Sequence, residues 1–272
     1  MSPITMPSGA CDCHFHIFEA ARYRYAEARH YTPQDATLDD YLALCNDLSI
    51  QRSVLIHPTV FGGDHLSFED VLRSQGHRMR GVAVVAPDTP DEDIARWHAL
   101  GARGTRITTI FSGDVNTQTI RRIVDKIKPF GWHVQLLVDV AQRPDLVAQV
   151  LDMGATVVVD HMGHHDAATI QQSAGFANLL SQLSQSGIWL KLSAPYRLSA
   201  DCISDVHVQS LAERYLRVNP DRLVWGTDWP HPSCSNRIPT SQQLLTLMTQ
   251  WLPDEVIRKK VLADNPARLY WN

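Results

Sequence analysis

No stretch of this chain approaches the roughly 18 to 20 uninterrupted apolar residues that span a bilayer, so a membrane partner is not expected. Residues 1–9 have neither a basic start nor an apolar run, which gives no expectation of a secretion signal. They read as a flexible segment at the start of one domain covering 1–272. The chain also lacks a massed basic block: its net charge is −4 and its arginines are scattered. That removes the electrostatic footprint of a nucleic-acid binder. Cysteine is scarce, with five residues at 11, 13, 45, 202 and 234 and no repeated Cys-x-x-Cys. An odd, unpatterned set points to reduced thiols in a cytoplasmic protein rather than a disulfide scaffold. Pro/Ser-rich linkers and low-complexity tracts are missing too, so nothing divides the chain into separate units.

What is present is a regular alternation. The 272 residues, 44% hydrophobic and 20% charged, suit a soluble globular protein. Short aliphatic and β-branched runs predict strands over 11–18, 52–58, 81–86, 104–110, 133–138, 156–161, 188–193 and 223–227. Apolar residues at helical spacing predict helices over 38–48, 68–75, 92–100, 117–128, 144–153, 174–185, 205–216 and 241–252. A last helix over 253–270 is interrupted by Asn265-Pro266. Eight strand–helix units predict a parallel sheet closed into a barrel of roughly 250 residues. Asp114 or Asn116 is placed to cap the helix entered at Thr117, and Pro144 suits a first turn. Gly101, Gly131, Gly154 and Gly187 each stand where a helix hands over to a strand.

In a closed parallel barrel, functional groups gather at the strand C-termini. The first strand carries Asp12-Cys13-His14-Phe15-His16. Strict alternation would put Asp12, His14 and His16 on one face and Cys13 and Phe15 on the other. Two imidazoles at i and i+2 can clamp a metal or polarise a carbonyl. Cys11 and Cys13 are expected to pack on the outer face. The sixth strand breaks from an apolar run into Asp160-His161-Met162-Gly163, and the eighth into Gly226-Thr227-Asp228-Trp229-Pro230-His231. Asp228 is the candidate general base, able to hold a water and take its proton. His161 joins it, whereas alternation turns Asp160 away into a structural role. His164, His165 and His231 read as exposed loop residues. Arg106 on the fourth strand and Arg197 after the seventh are candidates to grip a substrate carboxylate.

These motifs, with Tyr31-Thr32-Pro33, Arg103-Gly104-Thr105-Arg106, Gly131-Trp132-His133-Val134 and Asn265-Pro266, resemble the amidohydrolase superfamily over nearly the whole chain. Within it, they are most similar to the lactonases related to 2-pyrone-4,6-dicarboxylate lactonase. The resemblance implies a single (β/α)8 TIM barrel that hydrolyses a cyclic ester and takes a small anionic lactone as partner. It implies that His14, His16 and His161 surround the lactone carbonyl, that Asp228 activates water, and that Arg106, Arg197, Tyr31 and Thr59 line the substrate pocket. Two departures bear on the substrate. Residues 111–113 are Phe-Ser-Gly where that branch has a second arginine, and Leu136-Leu137 stand where it has a tyrosine. A lactone with one carboxylate, or a sugar-acid lactone with hydroxyl groups, is expected at least as much as the doubly charged pyrone. Metal-dependent relatives present a fifth-strand histidine or carboxylated lysine, and here that strand reads Gln135-Leu136-Leu137. No obligatory metal is expected, with His14, His16 and Asp228 the set that would hold zinc weakly. Lactone isomerisation, metal-dependent decarboxylation and a non-catalytic metabolite-binding barrel are the competing readings, and the oligomeric state is left open.

Overall fold

The computed structural model describes residues 6–110, 115–200, 205–232, 234 and 238–271. Residues 1–5 of the expected flexible segment, the capping candidate Asp114, the 111–113 stretch and Cys202 lie outside that set. Eight parallel strands pair in sequence order: β1 (Cys11–Phe15), β2 (Arg52–Ile56), β3 (Met79–Ala83), β4 (Ala102–Thr108), β5 (His133–Leu137), β6 (Val157–Val159), β7 (Ile188–Leu192) and β8 (Leu223–Trp225). The last strand returns to the first just beyond its end, where His16 N–H donates to the Trp229 carbonyl (2.8 Å) and Asp228 N–H to that of His14 (2.8 Å). The result is the (β/α)8 barrel.

Helices α1 (Leu38–Leu48), α2 (Leu66–Gln75), α3 (Asp91–Leu100), α4 (Thr117–Ile127), α5 (Leu146–Asp152), α6 (Ala174–Ser184), α7 (Val206–Val218) and α8 (Ser241–Trp251) surround it. Local chemistry sets their ends. Thr37 and Asp40 cap α1 reciprocally, each side chain accepting from the other's backbone N–H, which satisfies donors that the first turn leaves open. Asn116 caps α4 by accepting from Thr119 N–H at 2.9 Å. Pro144 falls two residues before α5, outside the first turn expected for it. The left-handed residue before β7 is Ser186 (φ 58°) rather than Gly187. The final run divides into α9 (Glu255–Lys259), a wide turn over Lys260–Asp264, and α10 (Asn265–Tyr270). Pro266 lacks the N–H that a regular turn needs at that point.

The strands alternate between a helix-facing surface, with Leu55, Leu136, Leu190 and Leu192, and an interior filled by Val54, Ile56, Val82, Val158, Trp189 and Val224. Cys11 and Cys13 belong to the interior set, beside Tyr270 of α10. This reverses the outer-face placement expected of them. The cause is an irregularity in β1: its register against β2 shifts between Asp12 and Phe15. Asp12 faces outward, accepting from Tyr41 of α1 (3.0 Å) and from Thr227 Oγ1 (2.6 Å). Phe15 also faces outward, stacked on Tyr41 at 3.6 Å. A bulge places two successive residues on one side of a strand, so Cys13 and His14 both point inward and alternation resumes with His16.

Candidate active site

Observed strands end two to three residues earlier at β1, β2, β6 and β8 than the apolar runs suggest, and the residues left beyond them include His16, His57, Asp160, His161 and Thr227. Beyond β6, His161 (φ 49°) and Met162 (φ 54°) are left-handed, as are Ala194 after β7 (φ 50°) and Asp228 after β8 (φ 56°). Non-glycine residues seldom adopt this conformation and do so where surrounding structure compels it. Here it swings His161 and Asp228 out of strand alternation and into the barrel mouth.

The four residues expected to carry chemistry meet there, all buried. Asp228 Oδ1 lies 3.3 Å from His14 Nε2 and 3.4 Å from His16 Nε2, and the His14 and His161 ring centroids are 4.6 Å apart. Asp160, expected to turn away, belongs to the same cluster. Its Oδ1 lies 3.4 Å from His14 Nδ1 and 3.6 Å from Lys191 Nζ, while its Oδ2 accepts from Arg106 Nε (3.2 Å) and Gln135 Nε2 (3.0 Å). The expectation failed because β6 stops at Val159 and the left-handed turn at His161 brings both side chains inward.

Three contributors were not singled out from sequence. Lys191 Nζ bonds Gln135 Oε1 (2.7 Å) and approaches His14 Nδ1 (3.4 Å). With Asp160 these are three acceptors, the complement of an ammonium group. Its signal was visible as one lysine inside the apolar run Ile188-Trp189-Leu190-Lys191-Leu192. Ser193 Oγ pairs with His161 Nδ1 at 2.8 Å. Tyr196 OH donates a short bond to Asp228 Oδ2, which also receives Arg197 Nε at 3.1 Å. Arg197 is further held by the Pro232 carbonyl (2.9 Å).

Charge is distributed accordingly. Burial opposes ionisation of Asp228, but its neighbours, the Arg197 guanidinium foremost, outweigh it and hold the carboxyl well below the usual range. Asp160 is likewise held low against burial, chiefly by Lys191. Burial, then Lys191, pushes His14 down to about 3, and burial lowers His16 and His161 as well. The imidazoles are therefore neutral. With Arg106, Lys191 and Arg197 against Asp160 and Asp228, the cluster carries one cation in excess.

Tautomers follow from the partners. His16 Nδ1 lies 2.7 Å from the Ile56 carbonyl, which can only accept, so Nε2 presents a lone pair towards Asp228. His14 Nδ1 accepts from Lys191, leaving an N–H at Nε2. His14 Nε2, His161 Nε2, Asp228 Oδ1 and Asp160 Oδ1 are all buried without a hydrogen-bond partner among the described residues. Each unpaired buried group costs about 1–3 kcal/mol, so the arrangement suits a polar guest. The ligand atoms of His14, His16 and Asp228 all lie within 4.8 Å of one another, as do those of His14, Asp160 and His161. Imidazole and carboxylate donors fit a zinc-class cation.

Beside the cluster a cavity of about 740 Å³ is lined by Tyr31, Trp229, His231 and Ile238, among others. Burial raises the Tyr31 phenol to about 12, and Arg106, Arg197 and Asp228 all act on it. Thr59 starts the single turn after β2 and is not in that wall. His231, expected in solvent, is buried beside Tyr196, and His165 pairs with Asp139 at 2.9 Å. Among the described residues no helix is long and apolar enough to cross a membrane.

Comparison with known proteins gives a consistent picture. The family profile described as Amidohydrolase matches residues 11–271. The chain is 32% identical to a 2-pyrone-4,6-dicarboxylate hydrolase of Comamonas testosteroni over 98% of this chain and 91% of that one. It is also 32% identical to a 4-sulfomuconolactone hydrolase of Hydrogenophaga intermedia, over 97% and 89%. An apo crystal structure from Agrobacterium tumefaciens superposes with a TM-score of 0.86 at 24% identity, covering 98% of this chain and 97% of that one, and shares the fold.

Proposed function

Given that the chain belongs to the amidohydrolase family, we propose that its barrel mouth opens a small carboxylated or sugar-acid lactone by attack of water on the ring carbonyl. The observation that carries this reading is the convergence of unpartnered buried atoms: the Nε2 atoms of His14 and His161 and a carboxylate oxygen on Asp228. Relatives acting on a pyrone and on a sulfomuconolactone support the substrate class.

In this reading His14 and His161 donate to the carbonyl oxygen and stabilise the charge that develops there. Asp228 Oδ1, with the His16 Nε2 lone pair beside it, orients the water and takes its proton; the proton then goes to the leaving ring oxygen. Water oxygen bonds to the carbonyl carbon, the ring C–O bond breaks, and a hydroxy acid results, or its keto tautomer where the leaving oxygen is enolic. Arg197, with Arg106 behind it, grips a substrate carboxylate at the rim, next to Tyr31. Thr59 is assigned to the same pocket by resemblance. A divalent cation, held by His14, His16 and Asp228, would supply Lewis acidity at the carbonyl. The cluster's existing excess of positive charge argues that none is required.

The test is an acid-release assay across a lactone panel, run in water enriched in oxygen-18. Hydrolysis should place one label in the new carboxylate, and Asp228→Asn should lower kcat by about 10²–10⁴-fold. Ring migration without label would mean isomerisation, and undiminished turnover in Asp228→Asn would remove the base from this scheme.

A further inference from the structure

The opposite end of the barrel is not used by this chemistry, yet it holds a second polar cavity of about 570 Å³. It lies where β4, β5, β7 and β8 begin, and its wall includes Arg103, Arg222, Arg268, His98, His133 and Trp189. Three guanidiniums share it, and among the described residues no carboxylate lines it. For a chain of net charge −4, this is a local concentration of the minority sign.

Arg103 and Arg222 are held in place by groups that do not cancel their charge. Arg103 Nη1 donates to the carbonyls of Ala102 (2.8 Å) and His98 (3.2 Å). Arg222 and Arg268 both lie against the Trp189 ring, 4.8 and 5.4 Å from its centroid. A guanidinium stacked on an aromatic face keeps its N–H edges available for an oxyanion. Among the described residues no carboxylate pairs with Arg103 or Arg222. Asp221, the neighbouring acid, is paired with Lys260 at 2.7 Å. Burial lowers Arg103, and burial together with Arg268 lowers Arg222 even though Asp221 opposes the shift, the direction expected of partly desolvated cations.

An imidazole completes the wall. His133 is only 2% exposed, and its Nε2 has no hydrogen-bond partner among the described residues. Gly104 makes room for this ring, because a Cβ there would sit 2.4 Å from His133 Nε2. The same strands then continue to the catalytic end: His133 precedes Gln135 by two residues on β5, and Trp189 precedes Lys191 by two on β7.

We propose that the N-terminal end of the barrel is a second binding site, for a small, multiply charged oxyanion held by Arg103, Arg222 and Arg268 around Trp189. Phosphoryl and polycarboxylate groups share the required chemistry. Either presents several oxygens to fork-shaped donors, and the site is separate from the lactone-binding mouth.

Calorimetric titration of the full chain with inorganic phosphate and, separately, tricarballylate tests this. Arg197→Gln removes the arginine at the mouth and should leave the second site intact, so saturable binding should persist in that variant. Arg222→Gln and Arg103→Gln should each weaken that binding at least about tenfold, the loss expected for one charge-assisted contact. Phosphate alone binding would identify a phosphoryl ligand and tricarballylate alone a polycarboxylate; each supports the site. Absence of saturable binding of both probes in Arg197→Gln would overturn it. So would wild-type affinity in Arg103→Gln and Arg222→Gln, each checked for an unchanged circular dichroism spectrum. The readout is binding, so the result is independent of whether the mouth hydrolyses lactones.

Discussion

Arg197 has two claims on it. In the free protein its Nε is 3.1 Å from Asp228 Oδ2, and its charge is what chiefly holds that carboxylate low against burial. A carboxylate so stabilised is a weak base. A substrate carboxylate drawing the guanidinium away would make Asp228 more basic when there is a carbonyl to attack. Replacing Arg197 by Gln removes the lowering influence, so the Asp228 pKa should rise. Because the ionised form is the active one, the acid limb of kcat/KM should move to higher pH, while KM for a carboxylated lactone rises about tenfold or more. A pH–rate profile superimposable on the wild type would break this link. The metal question belongs at the same scale. Adding a dication to His14, His16 and Asp228 would take a cluster with one excess positive charge to three, in a dry site where like charges repel strongly. Protein stripped by chelation and verified metal-free by elemental analysis should keep most of its lactonase activity. Stoichiometric zinc after purification without added metal, with activity lost on its removal, is the opposite result.

At the scale of elements, β1 determines how the barrel closes. Asp12 accepts from His14 N–H (3.0 Å), Thr227 N–H (2.9 Å), Thr227 Oγ1 (2.6 Å) and Tyr41 OH (3.0 Å). It thereby ties the bulged strand to the segment leading into Asp228 and to α1. Asp12→Ala leaves these donors buried and unpaired, which should cost about 3 kcal/mol, a Tm drop of about 6–12 °C for a chain of this size. Calorimetry showing a loss below about 1 kcal/mol would mean the bulge holds without it. The same bulge shows why the sequence was legible only in part. Apolar periodicity located all eight strands because alternation and helix spacing are local properties, and α1 runs over Leu38–Leu48 as its spacing predicts. The side-chain directions of Cys13 and Asp160 were misread because both sit where the backbone leaves strand geometry, through register in one case and left-handed turns in the other. Lys191 and Gln135 were legible in retrospect, since each interrupts an apolar strand and a buried polar group requires partners. Tyr196 left no such trace, because its role depends on the loop after β7 folding back over Asp228.

The whole molecule should be sensitive to mild acid. Burial holds nine imidazoles below their ordinary value of 6.5: His14 and His133 at about 3, His164 and His231 at about 4, with His16, His57, His65, His98 and His161 shifted the same way. As pH falls from 6.5 towards 4, the unfolded chain takes up protons on these rings while the folded protein does not. Proton uptake by the unfolded state alone lowers stability, by about 1.4 kcal/mol per pH unit for each ring that stays neutral. Asp12 works the other way: burial raises it to about 6, so it favours the folded state on acidification through that range, as one group against nine. The depressed carboxyls of Asp160 and Asp228 add losses only below the ordinary value of 3.8, beneath this window. Scanning calorimetry at constant ionic strength should therefore show Tm falling steeply between pH 6.5 and 4.5. A flat or rising Tm there would mean that the rings protonate within the folded barrel. His14, His16 and His161 would then be cationic throughout that acidic range, and the assignment of His16 as a lone-pair acceptor beside Asp228 would have to be abandoned there.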